Sequence, residues 1–326
     1  MSWEQELASS YRTMEQLSAA GFITKTEVAK LSAVAKRYKF LLPKYYADLI
    51  DRDNPVCPIR LQAIPSLAEL EAAPGELSDP LQDLTYQPVE RMTHRYGNRV
   101  LLHLTPNCSM YCRFCFRKTL LNELKEELFS GALIQAFKYL RDNTAIEEVI
   151  FSGGDPLMVG DEILKQVLEE LHQISHLKRI RIHSRIPVTL PSRVTPKLLE
   201  SLTSSRFKVV VVTHFNHPKE ITAQAKEAIK LLKAGTFLLN QSVLLKGVND
   251  SAQVLVQLSE SLFEEGVLPY YLHQLDPSQG THQFLVPVEE GKKLFGELKK
   301  RLPGYLVPRY VRDVVGIPYK TSLAEF

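Results

Sequence analysis

From Arg99 onward the chain alternates short apolar runs with amphipathic stretches. RVLLHLT (99–105), EEVIFSG (147–153), RIRIHSRI (179–186), KVVVVTHF (208–215), FLLNQSVLL (237–245) and VLPYYLHQLD (267–276) have the length and apolar content of strands. Helical periodicities fall near 130–142, 161–174, 196–203, 220–234, 251–265 and 288–301. Strands alternating with helices of that length predict right-handed βαβ units and a parallel sheet. The fold class expected is α/β, a partial (β/α)6 parallel barrel, since six units are too few to close the eight-stranded form. In such barrels the chemistry sits at the carboxyl ends of the strands.

The first 95 residues have another texture. Residues 3–42 carry Leu31, Val34, Ala35 and Tyr38 at helical spacing, with breaks near Gly21 and at Pro43, and 51–90 are rich in proline and acidic residues. The expected organisation is a mostly helical and extended region over 1–95 that wraps a barrel over 96–285. A C-terminal segment over 286–326 follows.

Composition narrows the function classes. With 44% hydrophobic and 24% charged residues among 326, the chain is globular in type. Its balance of 40 − 37 = +3 is too even for a sequence-independent nucleic-acid binder. No apolar run approaches the roughly 18–20 residues of a membrane span, and MSWEQELASSYRTMEQ lacks the layout of a secretory signal. Four cysteines in a chain this long do not make a secreted disulfide framework. A soluble, cytoplasmic protein is expected, with no nucleic-acid or membrane partner.

Three of those cysteines, Cys108, Cys112 and Cys115, stand in NCSMYCRFCFRK at C-x3-C-x2-C spacing, directly after the first strand. Three clustered thiolates can ligate three irons of a [4Fe–4S] cluster and leave the fourth iron open. A structural zinc site closes four ligands, and no fourth Cys or His stands nearby at finger spacing. Reduced core cysteines are the bland alternative; Cys57, beside Pro58, is left out of the set. FSGGDPL (151–157) ends the second strand, where glycines let a backbone approach a ligand and offer its N–H and C=O groups. A plain strand-to-helix turn explains GGDP equally well. Arg91, Arg95, Arg99, Arg113 and Arg117 lie within 27 residues, and ion pairing with acidic helices is the reading for Arg91 and Arg113.

C-x3-C-x2-C after a first barrel strand resembles the radical S-adenosylmethionine (SAM) superfamily. HRYGNRVLLHLT, CSMYCRFCFRK, FSGGDPL, RIHSR, THFNHPKEI, NQSVLLKGVND, PYYLHQLD and VPRYVRDVVGIPYK, in that order, narrow the resemblance to the lysine 2,3-aminomutase family. The likeness runs from about residue 88 to the last residues. It implies a partial barrel of the radical SAM type, whose open iron binds SAM and reduces it to a 5′-deoxyadenosyl radical. It implies that Ser152, Gly153, Gly154 and Asp155 hold the SAM amino group, and that His214 and Gln241 line the SAM and pyridoxal pocket. A buried histidine satisfied by a backbone partner remains the alternative for His183 and His214. Lys320 follows Asp313 by seven residues, as in the family's terminal motif, and that resemblance makes it the lysine that carries pyridoxal 5′-phosphate (PLP). Residues 314–319, VVGIPY, replace the glycine-rich loop of some relatives.

The resemblance also implies Arg95 and Arg99 near the PLP phosphate, where a fixed fork of donors suits the anion. Tyr96 would pack on the cofactor ring. Arg117 matches the residue that grips the substrate α-carboxylate. Asp276 and Asp313 match the pair that receives the ε-ammonium of lysine, which selects lysine over glutamate. No zinc is expected, because no Cys follows Cys115. A reductase, flavodoxin or ferredoxin is the electron donor implied. Two branches of the family remain open: one makes free β-lysine, the other makes (R)-β-lysine that a ligase attaches to elongation factor P. The chain's end, six residues after Lys320, and YLVPRYVRD (305–313) look like the elongation-factor branch; THFNHPKEIT (213–222) looks like the free-lysine branch. The resemblance implies that the free-lysine enzymes carry a C-terminal extension with zinc-binding cysteines that builds larger assemblies, so a monomer or dimer is expected here rather than a tetramer. A non-catalytic iron–sulfur protein on the same scaffold is the reading from another class.

Overall fold

The computed structural model describes residues 2–123 and 131–324. One sheet organises it, with strands in sequential order: β1 (Met92–Tyr96), β2 (Arg99–Thr105), β3 (Glu148–Gly153), β4 (Arg179–Ser184), β5 (Lys208–Thr213), β6 (Phe237–Val243), β7 (Leu268–His273), β8 (Arg309–Arg312) and β9 (Thr321–Ser322). Strands β2 to β8 run parallel to their neighbours, whereas β1 and β9 are antiparallel additions at the two edges. The six strands expected from sequence are β2 to β7. β8 supplies a seventh parallel strand that was too short and too polar, as RYVR, to stand out. β1 runs across the boundary expected at residue 95, and β8 and β9 carry the C-terminal segment into the same sheet.

Helices fill the connections at Gly131–Asp142, Asp161–His172, Pro196–Thr203, Ala223–Lys233, Ala252–Glu264 and Val288–Arg301. Ser130, the first residue of one predicted helix, lies outside the described residues. Several helix starts are fixed by a side-chain cap: Thr195, Thr222 and Ser251 accept from the N–H groups of Leu198, Ala225 and Val254. One stripe of each helix then covers one face of the sheet, as with Leu164, Val167, Leu168 and Leu171.

Side chains alternate along each strand, so the two faces of the sheet differ. On the helix-covered face Val100, Leu102, Ile180, Ile182 and Leu238 are fully or almost fully buried. Burying each such side chain contributes about 1.5–3 kcal/mol. The opposite face carries half-buried and mostly polar groups, among them His103, Arg181, His183, Gln241 and His273. That polar face curls on itself: Arg181 of β4 feels the Tyr270 and Tyr271 hydroxyls of β7, although β5 and β6 lie between. The edges meet through side chains. Tyr96 of β1 donates to Asp313, just past β8, at 2.8 Å, and Arg95 donates to the Val314 carbonyl.

The N-terminal region packs Met14, Leu17, Leu31, Tyr46 and Ile59 into the same hydrophobic cluster as the sheet. It bends through short helices, including Pro58–Ala63 and the single 3-10 turn Leu67–Leu70, and these bear on the site below. Among the described residues no helix is long and apolar enough to cross a membrane.

Candidate active site

The carboxyl ends of the parallel strands gather the titratable side chains of the polar face. Cys108, Cys112 and Cys115 lie on the loop after β2, folded by turns in which Cys115 N–H reaches the Cys112 carbonyl and Lys118 N–H that of Cys115, both at 3.2 Å. Burial pushes the Cys115 thiol up to about 11 and the Cys108 thiol well above its usual range. Neighbouring anions add to this, with Asp155 and the other two sulfurs acting on Cys108. Three thiolates this close ionise together only when a cationic group sits among them.

The cysteine loop is anchored from the N-terminal region. Arg113, 1% exposed, forks onto Glu69, 0% exposed, with Nε 3.0 Å from Oε1. Lys118 reaches the same carboxylate at 2.7 Å and also donates to the Arg113 and Gly280 carbonyls. Burial would raise the Glu69 carboxyl, but the two cations outweigh it and hold it lowered. Arg113 is thus the ion pair its sequence predicted, and Arg91 reaches the Leu104 carbonyl at 3.5 Å. Cys57 is buried at the start of the helix Pro58–Ala63.

The glycine motif packs closely against the chain's own backbone. A Cβ at Gly153 would lie 2.8 Å from the Thr105 carbonyl oxygen, and one at Gly154 would lie 2.4 Å from that of Asn107. Gly154 and Asp155 donate their N–H groups to those carbonyls at 2.7 and 2.8 Å. The glycines therefore let β3 press against the chain's own backbone at the root of the cysteine loop, and these two N–H groups are not offered to a ligand. Asp155 is buried too, accepting from Ser184 Oγ at 2.8 Å and from the Arg185 N–H at 2.7 Å. Burial raises its carboxyl to about 6 against those hydrogen bonds.

Around the mouth, Arg117 donates to Asp83 at 2.8 Å and to Ser152 Oγ at 3.2 Å. His183 and His214 each bury an Nε2 that has no partner among the described residues, and burial keeps both rings neutral. Gln241 stands opposite Tyr271 in the β6–β7 register, half-buried on the polar face. Lys320 donates to Asp313 at 2.5 Å, Tyr96 donates to its other oxygen, and Arg95 lies 3.9 Å away. Burial would raise Asp313, yet the Lys320 ammonium brings it down to about 2. Asp276 is pushed the other way, to about 7, by burial and then by the Asp313 charge, with Lys320 and Arg117 opposing. Arg99 lies over the Tyr96 ring, 4.1 Å from its centroid, and bonds Asn98, so it joins this group only through Tyr96.

Sequence reasoning missed Asp83, which neutralises Arg117, and Glu69, which anchors the loop. It also missed Arg185, quoted only as the last letter of RIHSR. Arg185 is buried and donates to Cys112 Sγ at 2.7 Å, Gln62 Oε1 at 2.6 Å and Glu220 Oε1 at 2.8 Å. Each partner is far away in sequence, so no local pattern marks them.

Known proteins resemble this chain closely. The profile of the Radical SAM superfamily matches residues 102–258. An L-lysine 2,3-aminomutase of Clostridium subterminale is 40% identical over 322 residues, covering 98% of this chain and 77% of the relative. That of Haemophilus influenzae is 42% identical, covering 90% and 87%, and that of Escherichia coli is 38% identical, covering 98% and 94%.

Proposed function

The chain belongs to the L-lysine 2,3-aminomutase family of radical SAM enzymes, and on that premise we propose that it moves the amino group of L-lysine from C2 to C3. The family works with a [4Fe–4S] cluster, SAM and PLP: when bound, the first two supply a radical able to take hydrogen from an unactivated carbon, and PLP carries the migrating nitrogen. The donor set suits these groups. Burial and neighbouring sulfurs disfavour the thiolates of Cys108 and Cys115 unless a cationic group sits among them, and Cys108, Cys112 and Cys115, all half-buried on one loop, would hold the cluster. The unpartnered ring nitrogens of His183 and His214 leave polar valence on the face where SAM and PLP would lie, with His214, Gln241, Ser152 and the glycine motif as the SAM-side candidates. Arg95 likewise buries an Nε with no partner among the described residues, and with Tyr96 and Lys320 it would hold PLP, with Arg99 at the rim.

One observation carries the substrate assignment: Asp276 and Asp313, carboxylates of opposite character, share the mouth with the Arg117 guanidinium. Arg117 is the cation for an α-carboxylate, which would compete there with Asp83. Asp313 already carries one cation, accepting from the Lys320 ammonium at 2.5 Å. A substrate ammonium takes that place only once the Lys320 charge is gone, and Asp276 then shares it. Two carboxylates facing a glutamate side chain would repel it. Borohydride reduction in the presence of PLP, followed by peptide mapping, should label Lys320. Asp276→Ala and Asp313→Ala should lose lysine turnover by about 10²–10³-fold or more while iron, sulfide and pyridoxal contents stay at wild-type levels. A label elsewhere overturns the role of Lys320; normal turnover by both variants, or wild-type preference for glutamate, overturns the substrate.

We infer further that the product is (R)-β-lysine destined for elongation factor P, with a flavodoxin- or ferredoxin-type donor reducing the cluster. YLVPRYVRD (305–313) supports that branch; THFNHPKEIT (213–222) favours free β-lysine as the second reading. Chiral analysis of the product, and its transfer to elongation factor P by the ligase, separates the two.

A further inference from the structure

Arg185 has no role in the chemistry described so far, yet its guanidinium donates to a cysteine of the cluster loop. It follows β4, where its own N–H is fixed by the buried Asp155 carboxylate. Its guanidinium divides between two neighbourhoods. Nη1 points to Cys112 Sγ at 2.7 Å, while Nη2 is held by Gln62 Oε1, Glu220 Oε1 and the Tyr46 hydroxyl at 2.6, 2.8 and 3.3 Å. The cradle is itself braced. Tyr46 donates to Glu220 Oε1 at 2.6 Å, the other Glu220 oxygen accepts the Asn216 and His217 N–H groups, and Gln62 Oε1 accepts from Asn216 Nδ2 at 3.0 Å. Glu220, Gln62 and Tyr46 are all 0% exposed. Phe114 of the cysteine loop covers the guanidinium, its ring centroid 5.1 Å from Cζ. Gln62 also accepts the Arg113 N–H through its carbonyl, so the helix Pro58–Ala63 holds both the loop and the arginine.

We propose that Arg185 is a positioning residue that tunes the iron–sulfur cluster: its N–H, aimed by Glu220, Gln62 and Tyr46, donates to the Cys112 sulfur and makes the cluster easier to reduce. The inference rests on the cluster assignment made above. Its physics is that of any hydrogen bond to a ligating sulfur. The donor withdraws negative charge from the thiolate, so an added electron meets less repulsion and the potential rises. Glu220 acts in the opposite sense. Its carboxylate offsets the guanidinium charge beyond the one N–H that reaches the sulfur, so what the cluster feels is a directed dipole rather than a bare cation. The N-terminal region, through Tyr46 and Gln62, thereby bears on electron transfer and not only on packing.

The sign of the shift separates this role from a merely structural one. Reconstituted protein without SAM or PLP is titrated anaerobically, with the reduced cluster read by electron paramagnetic resonance beside its iron and sulfide content and its thermal unfolding. Arg185→Gln should hold at least tenfold less reduced cluster at a fixed solution potential, a shift of about 59 mV downward for one electron. Glu220→Gln, which leaves the guanidinium without its counter-charge, should shift the potential upward. General loosening of the loop would move both variants the same way. If Arg185→Gln does not assemble a cluster, Arg185→Lys and Glu220→Gln carry the test, with a downward shift expected for the first because ammonium lacks the fixed fork. Wild-type potentials in the variants that assemble, or shifts of one sign for the Arg185 and Glu220 variants alike, overturn the proposal. Separate failure of the cluster assignment would show as iron that survives replacement of Cys108, Cys112 and Cys115.

Discussion

The two ends of the mouth are built in contrasting ways. The cysteine loop is nailed down before any cofactor arrives: Glu69 and Arg113 are essentially unexposed, Lys118 closes the triad, and Arg185 presses on Cys112 from the other side. The segment that brings Lys320 is tied instead by a few polar contacts and, just past the lysine, by the short β8–β9 pairing. Asp313, Arg95 and Tyr96 hold its start and its lysine, while Val315 and Tyr319 between them are 38% and 61% exposed. Gly316 turns there at φ +83° with no atom within 4 Å of where its Cβ would be. A loop for metal sulfide chemistry needs fixed ligands, since three sulfurs must match a rigid cluster at once. A lysine that bonds one cofactor needs only reach, and the cofactor's own contacts complete the order.

Changes at the iron end should therefore dominate. Replacing Cys108, Cys112 and Cys115 together should abolish the broad iron- and sulfide-dependent absorbance near 400 nm (a value typical of such clusters, on the order of that wavelength). Next comes Glu69→Ala, which strands two buried cations. Breaking such a pair costs about 3–5 kcal/mol, visible as an early thermal transition and low iron content. A Glu69→Ala variant as stable as wild type would remove the contrast between the two ends.

A smaller effect is expected in the pH dependence of lysine use. Asp276 rises from 3.8 to about 7 in the folded protein, so between those values the native state keeps a proton that the unfolded chain has released. Stability from this group is full below about 4 and is lost as pH rises through 7. Binding of an ammonium runs the other way, because it needs the ionised carboxylate. The kcat/KM for lysine should climb about tenfold per pH unit to at least roughly 7 before it levels, because a Lys320 without its charge no longer opposes the rise of Asp276. Asp276→Asn should flatten the limb; an unchanged limb in that variant would show that another group sets it. Least of all, Lys320→Ala should cost about 1 kcal/mol or less of stability, because Arg95 and Tyr96 still serve Asp313. Loss comparable to Glu69→Ala would mean the C-terminal segment is no looser than the cysteine loop.

What could be read in advance followed from local pattern. β2 to β7 betray themselves by apolar runs at regular spacing, and the cysteines by spacing alone. β1 and β8 did not, because MTHRY and RYVR are short and carry charged residues in place of an apolar run. The GGD glycines drew attention correctly as a place of close backbone approach, but the approaching backbone is Thr105 and Asn107, some 50 residues earlier. Glu69 meets Arg113 across 44 residues and Gln62 meets Arg185 across 123, and neither partner carries a motif of its own. Polar networks closed by tertiary contact leave no periodicity to find.

The most direct test of the whole account is turnover under strictly anaerobic conditions. Protein loaded with cluster, SAM and PLP, and given a strong one-electron reductant, is incubated separately with L-lysine and L-glutamate, and the products are separated. β-Lysine from lysine, with glutamate returned unchanged, is the predicted result. Absence of β-lysine from protein with full iron, sulfide and pyridoxal content would contradict it.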